Sequence, residues 1–129
     1  MSDDREAQIR RQWERWNAGD RESHMGEVAD DFVVESALTG RSFEGRAGLR
    51  AWMAEIDESF EGWRLWIDEV REVTGDRYLV LGGVHLRGRG SGVEFDQPIG
   101  WVLDFRGDSV VRLQNLADHD GAIAAANRE

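Results

Sequence analysis

Apolar residues recur at helical spacing through the first half of the chain and change to strand-like runs after Gly62. From about Asp4 to Ala18, Ile9, Trp13 and Trp16 lie four and three residues apart, which places them on one face of a helix. Asp3 or Asp4 can cap its start. Asn17-Ala18-Gly19-Asp20 stops it, Gly19 suiting a left-handed turn and Asp20 the cap of a short second helix with Met25 and Val28 buried. Ala29-Asp30-Asp31 then leads into a β-like run, Phe32 to Ser36. Thr39 to Gly45 reads as a loop, and Leu49, Trp52 or Met53, Ile56 and Phe60 predict a third helix with one apolar face.

Four strands follow, Trp63 to Val73, Arg77 to Arg87, Val93 to Phe105 and Val110 to Ala117, separated by short glycine-containing turns. Connections this short imply an antiparallel meander, because parallel pairing needs crossovers of about a dozen residues or more. In the third of these strands Val93, Phe95, Ile99, Trp101, Leu103 and Phe105 fall on odd positions and Glu94, Asp96 and Asp104 on even ones, so one face is apolar and the other wet. Asp118 caps a closing segment, Gly121 to Ala126, that can form a short helix. Helices first and strands afterwards is the α+β order, with the helices covering one face of the sheet.

The chain of 129 residues suits one domain, 1–129, without an internal repeat or a dividing linker. A net charge of −10 argues against nucleic acid and anionic membrane surfaces as partners, since both draw their affinity from cationic side chains. No apolar run reaches the roughly 20 residues of a spanning helix, and the N-terminus lacks the basic start and apolar stretch of a signal peptide, so a cytoplasmic location is expected. The absence of cysteine removes disulfides, thiol catalysis and thiolate metal sites.

The helix ending in Trp16-Asn17-Ala18-Gly19-Asp20, the run Ala29 to Glu35, the Phe43-Glu44-Gly45 loop and the meander closing on Val110-Val111-Arg112 together resemble SnoaL-like and ketosteroid-isomerase-like proteins of the nuclear-transport-factor-2-like superfamily. That resemblance spans nearly the whole chain. It implies a cone-shaped α+β barrel: three N-terminal helices packed on a strongly curved, mainly antiparallel sheet, a short C-terminal helix, and an apolar ligand cavity between helices and sheet. It also implies a homodimer, expected on the outer sheet face because Trp63 and Trp66, three residues apart on a strand, cannot both be in one core. The acids of ketosteroid isomerases do not carry over, because their positions hold Gln12, Ser36 and either Gly100 or Trp101. Steroid isomerisation then lacks both its base and its oxyanion donor.

By the same resemblance His85 faces the cavity, where it can serve as a general acid or base or simply as a hydrogen-bonded structural histidine. Asn115 can orient a ligand carbonyl or make a structural hydrogen bond. Apolar walls are expected from Trp16, Val34, Trp52, Leu81, Trp101 and Leu113, with Gln12 and Ser36 at the margin; ordinary core packing is the competing reading of the tryptophans. The expected partner is a small apolar molecule bearing a carbonyl or hydroxyl, bound without a cofactor, and either held or transformed by proton transfer in a cyclase, dehydratase or isomerase reaction. An epoxide-hydrolase or polyketide-cyclase type would need a cavity carboxylate, and the nearest acids, Glu35 and Asp96, point away by strand parity. A non-catalytic dimerisation module is the third reading. Asp118, His119 and Asp120 diverge at a helix start without a second histidine, so no metal site is expected.

Overall fold

In the computed structural model residues 2–20, 28–36 and 40–128 are described, and they form three helices and one six-stranded sheet. Helix α1 is Ser2–Asn17, α2 is Gly45–Ser59 and α3 is His119–Ala126; the strands are β1 Val28–Ser36, β2 Arg41–Glu44, β3 Phe60–Thr74, β4 Arg77–Gly88, β5 Glu94–Arg106 and β6 Ser109–Leu116. The curved sheet has the order β2-β1-β6-β5-β4-β3. All pairs are antiparallel except β1 with β6. The expected α+β architecture and the meander from β3 to β6 are both present. The expected second helix, with Met25, lies outside the described residues, while Val28 opens β1 instead of closing a helix.

Local chemistry explains the element ends. Gly19 takes a positive φ of 86°, and the backbone N–H groups of Gly19 and Asp20 close on the carbonyls of Trp16 and Arg15, so α1 stops where the glycine allows a left-handed turn. Asp118 caps α3, its carboxylate accepting from the Gly121 N–H at 2.5 Å. Two boundaries depart from the sequence pattern. The loop around Phe43 contains β2, only four residues long and paired to β1, and Phe60, which continues the helical spacing, is already the first residue of β3.

The protein buries apolar surface on both faces of the sheet. The larger core packs Ile9, Trp13 and Trp16 of α1 and Leu49, Trp52, Met53 and Ile56 of α2 against the concave face. On the outer face α3 lays Ala122, Ala125 and Ala126 over Leu79, Leu81 and Val102. This approach needs glycine: a Cβ on Gly100 would stand 2.1 Å from the Ala122 Cβ. Arg77 anchors the helix end, pairing with Asp104 at 2.6 Å and donating to the carbonyls of Ala126 and Arg128. The expectation that helices cover one face alone is thus corrected, since α3 buries part of the other. At the start of β5, Phe95 and the preceding Val93 run past the core and are exposed, Phe95 resting on Phe60 at a ring separation of 6.2 Å.

Candidate functional site

Strand register sets out the concave face as rows. Val80, Trp101, Asn115 and Ser36 stand side by side on β4, β5, β6 and β1, and Tyr78, Leu103, Leu113 and Val34 form the next row. Over these rows α1 and α2 bring a cluster of indoles: Trp16 meets Trp63 edge-on at 4.4 Å, both lie about 6 Å from Trp52, and Trp13 meets Trp101 edge-on at 5.1 Å. Between the rings is a cavity of about 40 Å³. That holds a few water molecules and is far below the several hundred Å³ typical of small-molecule pockets.

Asn17 closes the seam between α1 and the edge strand. Its amide nitrogen donates to the Leu65 carbonyl and its amide oxygen accepts from the Leu65 N–H, both at 2.8 Å. The residue that ends the helix therefore also pins β3, and Leu65 lines the cavity.

Of the residues singled out in the sequence, Gln12, Trp16, Trp52, Trp101, Leu113 and Asn115 line this cavity. Val34 is fully buried in the same core behind that wall. Ser36 is buried beside Asn115, lines a separate open groove near the end of α3, and its Oγ has no hydrogen-bond partner among the described residues. Two placements are corrected. Leu81 packs under α3, and His85 lies on the outer face, its side chain 44% exposed and bonded to Asp96 at 2.6 Å and Glu94 at 3.2 Å. In β4 the inward residues are Tyr78, Val80, Val84 and Leu86, one position out of phase with the expectation. The cause is that Tyr78 to Val84 are buried on both faces, so the strand shows no alternation to fix its parity. Trp13, Trp63 and Val84 line the cavity too and were not among the candidates; the helical spacing of Trp13 and Trp16 was the signal for the first.

No aspartate, glutamate or histidine is among the described lining residues. Glu35 is bonded to Arg112 at 2.8 Å and to Gln114 at 3.1 Å, and Asp96 is engaged with His85, so neither acid is in the cavity. The described lining offers hydrogen bonds from neutral groups and aromatic walls. His119 donates to or accepts at no metal cluster; its Nε2 lies 2.8 Å from the Gly82 carbonyl, and no metal-binding group occurs among the described residues.

The hydrogen bonds from His85 to Asp96 and then Glu94 raise its pKa above the ordinary 6.5. A raised folded pKa contributes stability that is fully present below the unfolded value and lost as pH rises through the folded value. His85→Ala is therefore expected to be less stable than the parent below pH 6.5 and to approach it in alkaline solution. Denaturant titrations at several pH values check this; a gap that widens with pH would contradict it.

Residues 9–113 match the family model described as the SnoaL-like domain. Solved structures with the same fold include an NTF2-like protein of unknown function from Burkholderia pseudomallei, 19% identical, with 93% of this chain and 95% of that one covered and a TM-score of 0.78. TerC, co-crystallised with polyporic acid, is 19% identical over 92% of this chain and 93% of its own, with a TM-score of 0.77. A candidate SnoaL-like polyketide cyclase from Jannaschia sp. CCS1 is 18% identical, with 94% and 90% covered and a TM-score of 0.74. At these identities the likeness establishes the fold. No curated protein matches the chain.

Proposed function

Because the chain belongs to the SnoaL-like domain family, we propose that it is a cytoplasmic small-molecule-binding protein whose ligand enters the tryptophan-lined cavity. The observation that carries this reading is the lining itself: aromatic and aliphatic walls with Gln12 and Asn115 as the polar members, the composition of a site for a mostly apolar molecule bearing an oxygen. TerC, of the same fold, was crystallised with polyporic acid. At about 40 Å³ the cavity is too small for an organic molecule, so binding one requires a ring of its wall to move. Trp63 is the ring to do so, being half-buried on the edge strand while its neighbours Trp16 and Trp52 are buried on helices.

Binding without turnover fits the lining better than a proton-transfer enzyme does, because such an enzyme needs a positioned base and the described lining contributes none. Native mass spectrometry of freshly purified protein tests the reading. A co-purifying organic molecule that protects Trp63 from quenching by acrylamide is the expected result; no bound mass, and no small aromatic that binds below millimolar concentration, would leave the rings as a self-filled core.

We propose further that the protein is a homodimer. Beyond α3 the outer face carries the half-buried Trp66, lying over Gly83, where a Cβ would stand 2.3 Å from the indole. A second copy packing there would complete its burial. Sedimentation at tens of micromolar should give the dimer mass, and a Trp66→Glu variant the monomer; a parent that sediments as a monomer would end the proposal.

A further inference from the structure

We infer that the cavity takes a neutral carbonyl oxygen, held by indole and amide N–H groups, in preference to a hydrocarbon or a carboxylate. This names the ligand class for the binding function proposed above and rests on that reading. Trp13, Trp52 and Gln12 are 7%, 4% and 1% exposed, all line the cavity, and Trp13 Nε1, Trp52 Nε1 and Gln12 Nε2 have no hydrogen-bond partner among the described residues. Asn115 Oδ1 is the one acceptor among the cavity-lining groups in that condition. Three donors against one acceptor is a lining that asks for lone pairs.

The chemistry then separates ligand classes. A carbonyl oxygen has two lone pairs and can accept from two N–H groups at once, whereas a hydrocarbon of the same shape leaves every donor unpaired in apolar surroundings. A carboxylate also offers lone pairs but brings a full charge, and neither Lys, Arg nor His is among the described lining residues to offset its desolvation. An ammonium group needs acceptors, of which Asn115 supplies one. Discrimination of this kind is strong because a site built to hydrogen-bond rejects the analogue that cannot.

Titration calorimetry of the full chain with 1-indanone, indane and indane-1-carboxylate, paired with ¹H–¹⁵N spectra of the indole groups, tests the inference. The expected result is that indanone binds at least tenfold more tightly than either analogue and shifts the Trp13 and Trp52 Nε1–H signals downfield, which indane does not. Trp52→Phe and Trp13→Phe, which keep an aromatic ring and remove the N–H, should each cut the preference for indanone over indane severalfold. Equal binding of indanone and indane, or unmoved indole signals, overturns the carbonyl assignment while leaving an apolar binding site. Failure of all three to bind removes the binding function and this inference with it.

Discussion

Gly82→Ala should destabilise the protein by about 3 kcal/mol or more, lowering Tm by on the order of 10 °C. A Cβ at this position would stand 2.0 Å from the Trp66 carbonyl oxygen and 3.1 Å from the Ile67 Cα, so the obstacle is backbone and cannot rotate aside. Relief requires β3 to separate from β4 just where the ladder already shifts register, between Ile67 and Glu69. Leu65 and Trp63 sit on the adjoining stretch of β3, so the substitution disturbs the cavity wall as well as the fold. Gly75→Ala is the control, since a Cβ there meets nothing within 4 Å and its φ is not positive; it should change stability by less than about 1 kcal/mol. Thermal and denaturant unfolding of both variants decide the matter. Equal losses would mean that the close approach is not what Gly82 provides.

Trp101→Ala should cost about 3–5 kcal/mol, the range for deleting a large aromatic from a core that cannot collapse around the loss. Trp101 is 5% exposed, stands at the centre of its row between Val80 and Asn115, and meets Trp13 edge-on. Removing it also enlarges a cavity whose remaining walls are mostly apolar, and such a space takes up small aromatics. Added indole is therefore expected to raise the midpoint of the variant more than that of the parent, by mass action on the folded state. Urea titrations with and without indole make the comparison. An unchanged midpoint in the variant would mean that the walls close in to fill the space.

What could be read from the sequence depended on whether one side of an element faces water. Strand β5 from Ile99 to Phe105 alternates cleanly in its large side chains, and Ile99, Trp101, Leu103 and Phe105 do face the concave side. The two faces of Trp63 and Trp66 were legible for the same reason: Trp63 lines the cavity and Trp66 lies outside over Gly83. Strand β4 gave no such guide, because α3 buries its outer side and both parities are apolar, and that is how Leu81 and His85 came to be assigned to the wrong face. Strand β2 has four residues, too few for a period. Asp30 and Asp31 read as the lead-in to a strand starting at Phe32, whereas both are exposed residues within β1, where pairing with β6 shifts register between Val28 and Val33. Helical spacing put Trp16 and Trp52 on apolar helix faces, the resemblance added Gln12, and all three line the cavity. Strand parity already turned Glu35 and Asp96 away from the apolar face, and the structure pairs Glu35 with Arg112 and Gln114, and Asp96 with His85.

The clamp between Asn17 and Leu65 also bears on how the protein avoids sticking to itself. Strand β3 is fifteen residues long and ends the sheet, so it offers a row of backbone groups to any passing strand, whereas the opposite edge, β2, has only four residues. Asn17 occupies both the N–H and the C=O of Leu65, removing one pairing unit from the middle of that row. Three register shifts along β3 break its regularity, and Glu61, Arg64, Asp68, Glu69, Arg71 and Glu72 place exposed charges along it. An Asn17→Ala variant would free that pairing unit, so the side chain that holds β3 to the helix also narrows the stretch of the longest edge that another strand could join.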